Sequence, residues 1–307
     1  MAFEEVKQNL AFSNLELLAK QVVEGFVTGM HKSPFHGFSV EFAEHRAYNK
    51  GESTRHIDWK LYAKTDKLYV KRYEEETNLR CHIIIDNSAS MHYPKLLVPT
   101  IEHLNKISFA TVASAALMEL LKRQRDAVGL SIYSDKYDFY APAKGSEKHH
   151  RMLLNRLMNL LFDGSTKTTQ TYDCLHQIAE KIHKRSLIIL FSDMFQSDKE
   201  EDELFEALRH LKYNKHDVVF FHTYDAKTEL NFEFDNTPKK FVDIETGETV
   251  NLFADNIKET YKKTTEKYFN DLKLRCLQYK IDYVSVDINQ GFEHILQTYL
   301  IRRRQFM

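Results

Sequence analysis

From residue 81 to the end, the sequence predicts an α/β domain on a doubly wound, mostly parallel sheet, with an amino-terminal elaboration before it and a small hairpin insertion late in the chain. Three observations carry this expectation. Apolar runs of strand length alternate with longer amphipathic stretches of helical period. The first run, Cys81 to Asp86 (CHIIID), is β-rich and uncharged between His82 and Asp86, the pattern of a strand buried on both faces. A hydrophobic fraction of 43% over 307 residues is enough for one large core, or for a core domain with an appendage.

Residues 1–80 differ in texture. They begin helically to about Met30 and continue as short alternating segments, rich in aromatics and charge, through Tyr73. They are read as an elaboration on a main domain of residues 81–307. The elaboration contains the only tryptophan, Trp59, and a polar set of Glu41, Arg46, Arg55, Asp58 and Lys71. Because buried charges need partners and this segment supplies both signs, the set reads first as an ion-pair network fixing the elaboration to the core.

In the main domain, Ile101, Leu104, Ile107, Val112, Ala115 and Leu121 form an apolar stripe that predicts a helix over 100–125. Further strands are expected at Ala127 to Tyr133, Ser186 to Phe191, Val218 to Thr223 and Tyr283 to Val286, with helices over 147–162, 171–184 and 199–213. Lys240 to Asp243 and Thr249 to Leu252, joined by Glu245-Thr246-Gly247-Glu248, predict a hairpin near a sheet edge. Two final helices close the chain.

Composition narrows the function classes. The 43 basic residues nearly balance 44 acidic ones, so no global field draws in nucleic acid or an anionic membrane. Cys81, Cys174 and Cys276 are odd in number and form no C-x-x-C pair, which argues against a disulfide framework or a structural zinc and for a reducing cytoplasm. Leu10 to Met30 is interrupted by Asn14, Glu16, Lys20 and Glu24, so neither a signal peptide nor a stable membrane insertion is expected. With 9 glycines and 5 prolines spread over the chain, no segment reads as a linker.

The chemistry concentrates just past the first strand. Asp86-Asn87-Ser88-Ala89-Ser90 places one carboxylate and two hydroxyls on a single tight loop. All three are hard oxygen donors, and Mg²⁺ (or Mn²⁺) favours a few such side chains plus water over an all-protein cage. Other ligands must come from neighbouring loops at the same sheet edge. Asp193 ends the strand expected at Ser186 to Phe191 in the run LIILFSDM, and Thr169 lies in the polar loop GSTKTTQT, where Thr168 is the alternative. Taken alone, D-x-S-x-S also fits turn and helix-cap duty.

These residues resemble a known pattern. The D-x-S-x-S followed by Met91, the downstream threonine and the strand-terminal Asp193 are similar to the metal-ion-dependent adhesion site of von Willebrand factor A domains. Upstream, Gly37-Phe38-Ser39-Val40-Glu41-Phe42 with Arg46, Tyr48, Gly51, Arg55, Ile57-Asp58-Trp59 and Val70-Lys71-Arg72-Tyr73-Glu74-Glu75-Glu76 resembles the signature of the bacterial family called domain of unknown function 58. Val242 to Glu248 and Ile281 to Val284 continue the likeness, which runs from about residue 33 onward. Gly51-Glu52-Ser53 departs from it, since the family usually reads Gly-Asp-Asp there. The resemblance implies a von Willebrand factor A-like fold and a metal set of Asp86, Ser88, Ser90, Thr169 and Asp193. It also implies a binding or adaptor role beside a MoxR-type AAA+ ATPase. Some members carry an amino-terminal membrane hairpin, and none is expected here.

The reading that follows is a metal-dependent protein-binding module, not an enzyme, in which a partner's acidic side chain completes the coordination of Mg²⁺. A metal-assisted hydrolase or phosphatase using Asp86 is the alternative, weakened by Ser88 standing where a D-x-D phosphatase needs a second acid. A third reading is a structural subunit whose site binds no metal. His149-His150 are expected in the core or on the surface, Arg302-Arg303-Arg304 as helix-end charges, and Val218 to Phe221 as core.

Overall fold

The computed structural model describes residues 14–31, 45–47, 59–65, 67–71, 79–96, 99–101, 103–134, 137–162, 171–194, 201–242 and 247–305. In chain order, helix α1 is Leu15–His31, β1 is His45–Ala47, α2 is Trp59–Thr65 and β2 is Tyr69–Lys71. There follow β3 (Arg80–Asp86), α3 (Lys106–Arg123), β4 (Ala127–Tyr133), β5 (Tyr137–Lys144), α4 (Glu147–Phe162) and α5 (Thr171–Lys181). The chain continues through β6 (Leu187–Ser192), α6 (Glu201–Tyr213), β7 (Asp217–Tyr224), β8 (Pro238–Val242) and β9 (Thr249–Phe253). It closes with α7 (Ala254–Gln278), β10 (Asp282–Asp287) and α8 (Glu293–Gln305).

Two compact units emerge, one of residues 27–78 and one joining α1 up to Phe26 with residues 79–307. In the smaller, β1 and β2 pair antiparallel, Arg46 opposite Val70, and Trp59 is exposed with its ring edge-on to Tyr62. Glu41, Arg55 and Asp58 of the expected ion-pair network lie outside the described residues, while Arg46 and Lys71 are placed as paired backbone. The start of α1 goes with the larger unit because Leu15, Leu18, Ala19, Val23 and Phe26 form one buried stripe.

The larger unit has the predicted fold class. Its six-stranded sheet runs in the order β10-β7-β6-β3-β4-β5; every pairing is parallel except β4 with β5. Side chains alternate across each strand, so Ile84, Ile188, Leu190, Val218 and Phe220 pack with α5, α6 and α7 into one layer. Ile83 and Ile85, also fully buried, face the opposite layer with α3, whose Phe109 stacks on Phe292 before α8.

Three differences from the sequence reading have local causes. The helix expected over 100–125 starts at Lys106, since the Asn105 carboxamide oxygen caps it by accepting from Ser108 N at 2.9 Å. Strand β5 was not expected, because Asp138 and Pro142 suit a loop; at a sheet edge both are tolerated. It packs closely because Gly129 faces it, where a Cβ would lie 2.4 Å from His82 Nδ1 and 2.8 Å from the Ala141 carbonyl oxygen. A π-helical turn at Ala226–Leu230, capped by the Asp225 side chain, was likewise unanticipated.

The expected hairpin is present as β8 and β9, with Gly247 at φ +75°. His149 and His150 are core residues, and His149 Nε2 donates to the Val128 carbonyl at 3.0 Å. Arg302 pairs with Asp282 and Arg303 with Asp126, so both serve the fold. Among the described residues no helix is long and apolar enough to cross a membrane.

Candidate metal centre

The strand order reverses at β3, which is flanked by β4 on one side and β6 on the other. Connections leaving such a pair in opposite directions open a crevice at the carboxyl ends of the strands. Asp86 is the last residue of β3, and Asp193 follows β6 directly. The register pairing Ile85 with Phe191 brings Asp86 beside Ser192, whose Oγ donates to Asp86 Oδ2 at 2.6 Å.

The loop after β3 is fixed by its own backbone. Asp86 Oδ1 accepts from Ser88 N at 2.9 Å, Asn87 N donates to the Tyr133 carbonyl at 2.7 Å, and Met91 N donates to the Ser88 carbonyl at 3.2 Å. Met91, fully buried, anchors the turn. These constraints bring the Ser88 and Ser90 hydroxyls into a hydrogen bond with each other at 3.0 Å. Adjacent ligands of an octahedral Mg²⁺, each at ~2.1 Å, stand about 3 Å apart, so the two hydroxyls are spaced as neighbouring donors. Asp86, Ser88 and Asp193 are buried, and half-buried Ser90 marks the rim.

Across the crevice, Asp193 is held by three elements. Its Oδ2 accepts from Lys106 Nζ at 2.7 Å, and its carbonyl accepts from His222 Nε2 at 2.9 Å. Tyr283 OH donates to His222 Nδ1 at 2.7 Å, which fixes the tautomer. Burial keeps this imidazole neutral, with its pKa pushed down to about 4. The backbone turns immediately afterwards at Met194, φ +49°. There Ser192 Oγ accepts from Met194 N at 3.0 Å, and Tyr268 OH donates to the Met194 carbonyl. A non-glycine residue with positive φ is uncommon and needs such reinforcement.

The electrostatics are unbalanced. Burial, and then the nearby Asp193 charge, push the Asp86 carboxyl up to about 6 against the hydrogen bonds of Ser192 and Ser88. Burial works against the Lys106 charge, yet Asp193 and Glu229 outweigh it and hold its pKa above the ordinary value. The buried Tyr133 hydroxyl has no well-formed hydrogen bond, and burial and the Asp86 charge disfavour its ionisation. Asp193 and Glu229 thus share the ammonium of Lys106, while the charge that Asp86 feels most is the repulsive one of Asp193.

This arrangement fits a hard divalent cation. The donors are carboxylate and hydroxyl oxygens, two of them at ligand spacing, and the crowded negative charge is what a divalent ion relieves. Among the described residues no three His, Cys, Asp or Glu side chains converge on a metal-sized centre, so a bound ion would take hydroxyls and waters for the rest of its shell. Of the five predicted ligands, the structure brings Asp86, Ser88 and Ser90 onto one loop and Asp193 opposite. Thr169 and its alternative Thr168 lie outside the described residues.

Sequence reasoning missed Lys106, Glu229 and His222. Only Lys106 left a trace: a cation in the first turn of a helix opposes the helix dipole, and here it opens the otherwise uncharged run KISFATVASAALM. Glu229 belongs to a π-turn with no periodicity to betray it.

A family model described as "Protein of unknown function DUF58" matches residues 44–269. Uncharacterized protein Rv1480 of Mycobacterium tuberculosis and Uncharacterized protein Mb1516 of Mycobacterium bovis are each 25% identical over 157 residues, 51% of this chain. The matched region is 48% of each, so the chain spans about half the length of these curated relatives. Similar solved structures include BatB from Bacteroides thetaiotaomicron, with TM-score 0.43, 13% identity, and coverage of 74% of this chain and 99% of that one. The SpRpn10 VWA domain has TM-score 0.37 and 12% identity, covering 72% of this chain and 94% of that one.

Proposed function

The chain belongs to the DUF58 family, proteins of unknown function, and from that premise we propose that it is a metal-dependent protein-binding module of the von Willebrand factor A type. In this reading Asp86, Ser88, Ser90 and Asp193, with Thr169 or Thr168, hold Mg²⁺ or Mn²⁺, and residues 81–307 form the binding domain. The bound ion supplies a hard Lewis-acid centre that accepts a carboxylate from the partner. The observation that carries the reading is the pair of hydroxyls 3.0 Å apart beside the buried Asp86 carboxylate.

The side chains divide the work. Ser192 and the Ser88 amide orient Asp86, the Met91 anchor keeps the hydroxyl pair in place, and His222 fixes the backbone at Asp193. Binding without turnover suits Asp86, since both its oxygens accept hydrogen bonds and it is buried, which makes a poor nucleophile. The family resemblance points to a MoxR-type AAA+ ATPase as partner and to an adaptor role. Three free, buried cysteines suit work in the cytoplasm.

The test is binding of the purified full chain to a purified MoxR-type ATPase from the same genome, with Mg²⁺, with EDTA, and with Asp86→Ala in Mg²⁺. Complex formation in the first arm alone supports the proposal. Equal binding in all three arms overturns the metal-dependent reading, and binding in none overturns the partner.

A further inference from the structure

Lys106 is an expensive residue to place where it is. Its side chain is 1% exposed, and its position in the first turn of α3 sets its charge against both desolvation and the helix dipole. Its ammonium lies 2.7 Å from Asp193 Oδ2 and 2.5 Å from Glu229 Oε1. A leucine or methionine would fill the same volume at the start of this buried helix without this cost. The charge therefore answers to the carboxylates.

We infer that Lys106 is a built-in counter-cation that sets how weakly the Asp86, Ser88 and Ser90 loop holds a divalent ion, by neutralising part of the negative charge at Asp193 and Glu229. The inference rests on the metal-binding reading of the same site. Two like charges in one buried crevice repel, so a fixed ammonium at Asp193 lowers the affinity for any cation arriving at Asp86. The same ammonium ties the crevice to the π-turn, because Glu229 Oε2 accepts from Asp225 N at 2.7 Å while the Asp225 side chain caps that turn. A site tuned in this way exchanges its ion readily and gains most when an acidic partner adds a ligand.

The test is a Mn²⁺ titration of the full chain, with free ion read by electron paramagnetic resonance, on wild type, Lys106→Met, Glu229→Gln and Asp86→Asn. Lys106→Met should bind Mn²⁺ about tenfold or more tightly than wild type, the direction Coulomb's law gives for removing a nearby positive charge. Asp86→Asn should lose binding. A merely structural lysine predicts the opposite for Lys106→Met, since misplacing Asp193 weakens the site. Equal or weaker binding by folded Lys106→Met, with wild type binding through Asp86, overturns the inference and leaves the metal reading intact. Binding by Lys106→Met but not by wild type supports Lys106 as the resident cation and overturns metal binding in the natural chain. Binding by neither overturns both. Should Lys106→Met fail to fold, Glu229→Gln decides. With Lys106 then bearing on Asp193 alone, its Mn²⁺ affinity should fall severalfold, and unchanged or tighter binding overturns the inference.

Discussion

Two buried aspartates at opposite ends of the same sheet are treated in opposite ways. Asp126, just before β4, accepts from Leu79 N at 3.1 Å and Tyr299 OH at 3.2 Å, and Arg303 Nε meets it at 2.7 Å. Its charge has a cation of its own. Asp86, at the far end of the neighbouring strand, is equally buried but is met by a hydroxyl and an amide, with Asp193 adding repulsion. Asp126 is neutralised where it stands, whereas Asp86 is held by neutral donors, and the proposed divalent ion would supply its counter-charge.

Removing each aspartate should break this pair apart most visibly. Asp126→Ala strands the buried Leu79 amide and takes away the carboxylate that the partly exposed Arg303 meets, which should cost roughly 3 kcal/mol, the lower end for breaking a buried pair. Asp86→Asn, which relieves repulsion, should leave metal-free stability near or above that of wild type. Urea unfolding in EDTA measures both, and Mn²⁺ affinity should survive Asp126→Ala in the folded fraction. Equal destabilisation by the two changes would mean that Asp86 is as structural as Asp126.

The pH dependence sharpens the contrast. The Asp86 carboxyl is held near 6 in the folded chain against an ordinary 3.8, so the native state binds its proton more tightly than the unfolded state does. That contribution to stability is full below about 3.8 and is lost as pH rises through about 6. The stability of wild type relative to Asp86→Asn in EDTA should therefore fall by up to about 3 kcal/mol between pH 4 and pH 7. Mg²⁺ should flatten the curve by stabilising the ionised form. A flat difference in EDTA would mean that Asp86 ionises as freely as an exposed acid.

How far these features could be read in advance depended on what writes a pattern into sequence. Buried strands do so strongly: CHIIID and LIILFS are near-continuous apolar runs, and the carboxylates that end the first and directly follow the second mark the switch point in the sequence itself. The hydroxyl pair was equally legible, because two serines two residues apart on one turn have little freedom. Edge strand β5 was not, since half-exposed edges accept Asp and Pro. Lys106 and Glu229 meet across 123 residues of chain, and no periodicity encodes such a meeting. The Asp126 network was missed for the same reason, with Arg303 read only as a helix-end charge, although it closes on Asp126 from 177 residues away.

The smallest expected effect isolates the hydroxyl that stands in for a cation at Asp86. Ser192 Oγ donates to Asp86 Oδ2 at 2.6 Å and accepts from Met194 N at 3.0 Å, so Ser192→Ala removes one charge-assisted hydrogen bond and strands one buried amide. The loss should be about 2 kcal/mol, below that of Asp126→Ala because no ion pair is broken. Its direction on titration is the sharper readout. Ser192 donates to the ionised carboxylate and so opposes the upward push of burial and Asp193. Without it, the midpoint of the Asp86-dependent stability curve should move above about 6. A midpoint that falls instead would assign the titration to another group and remove the distinction between the two aspartates.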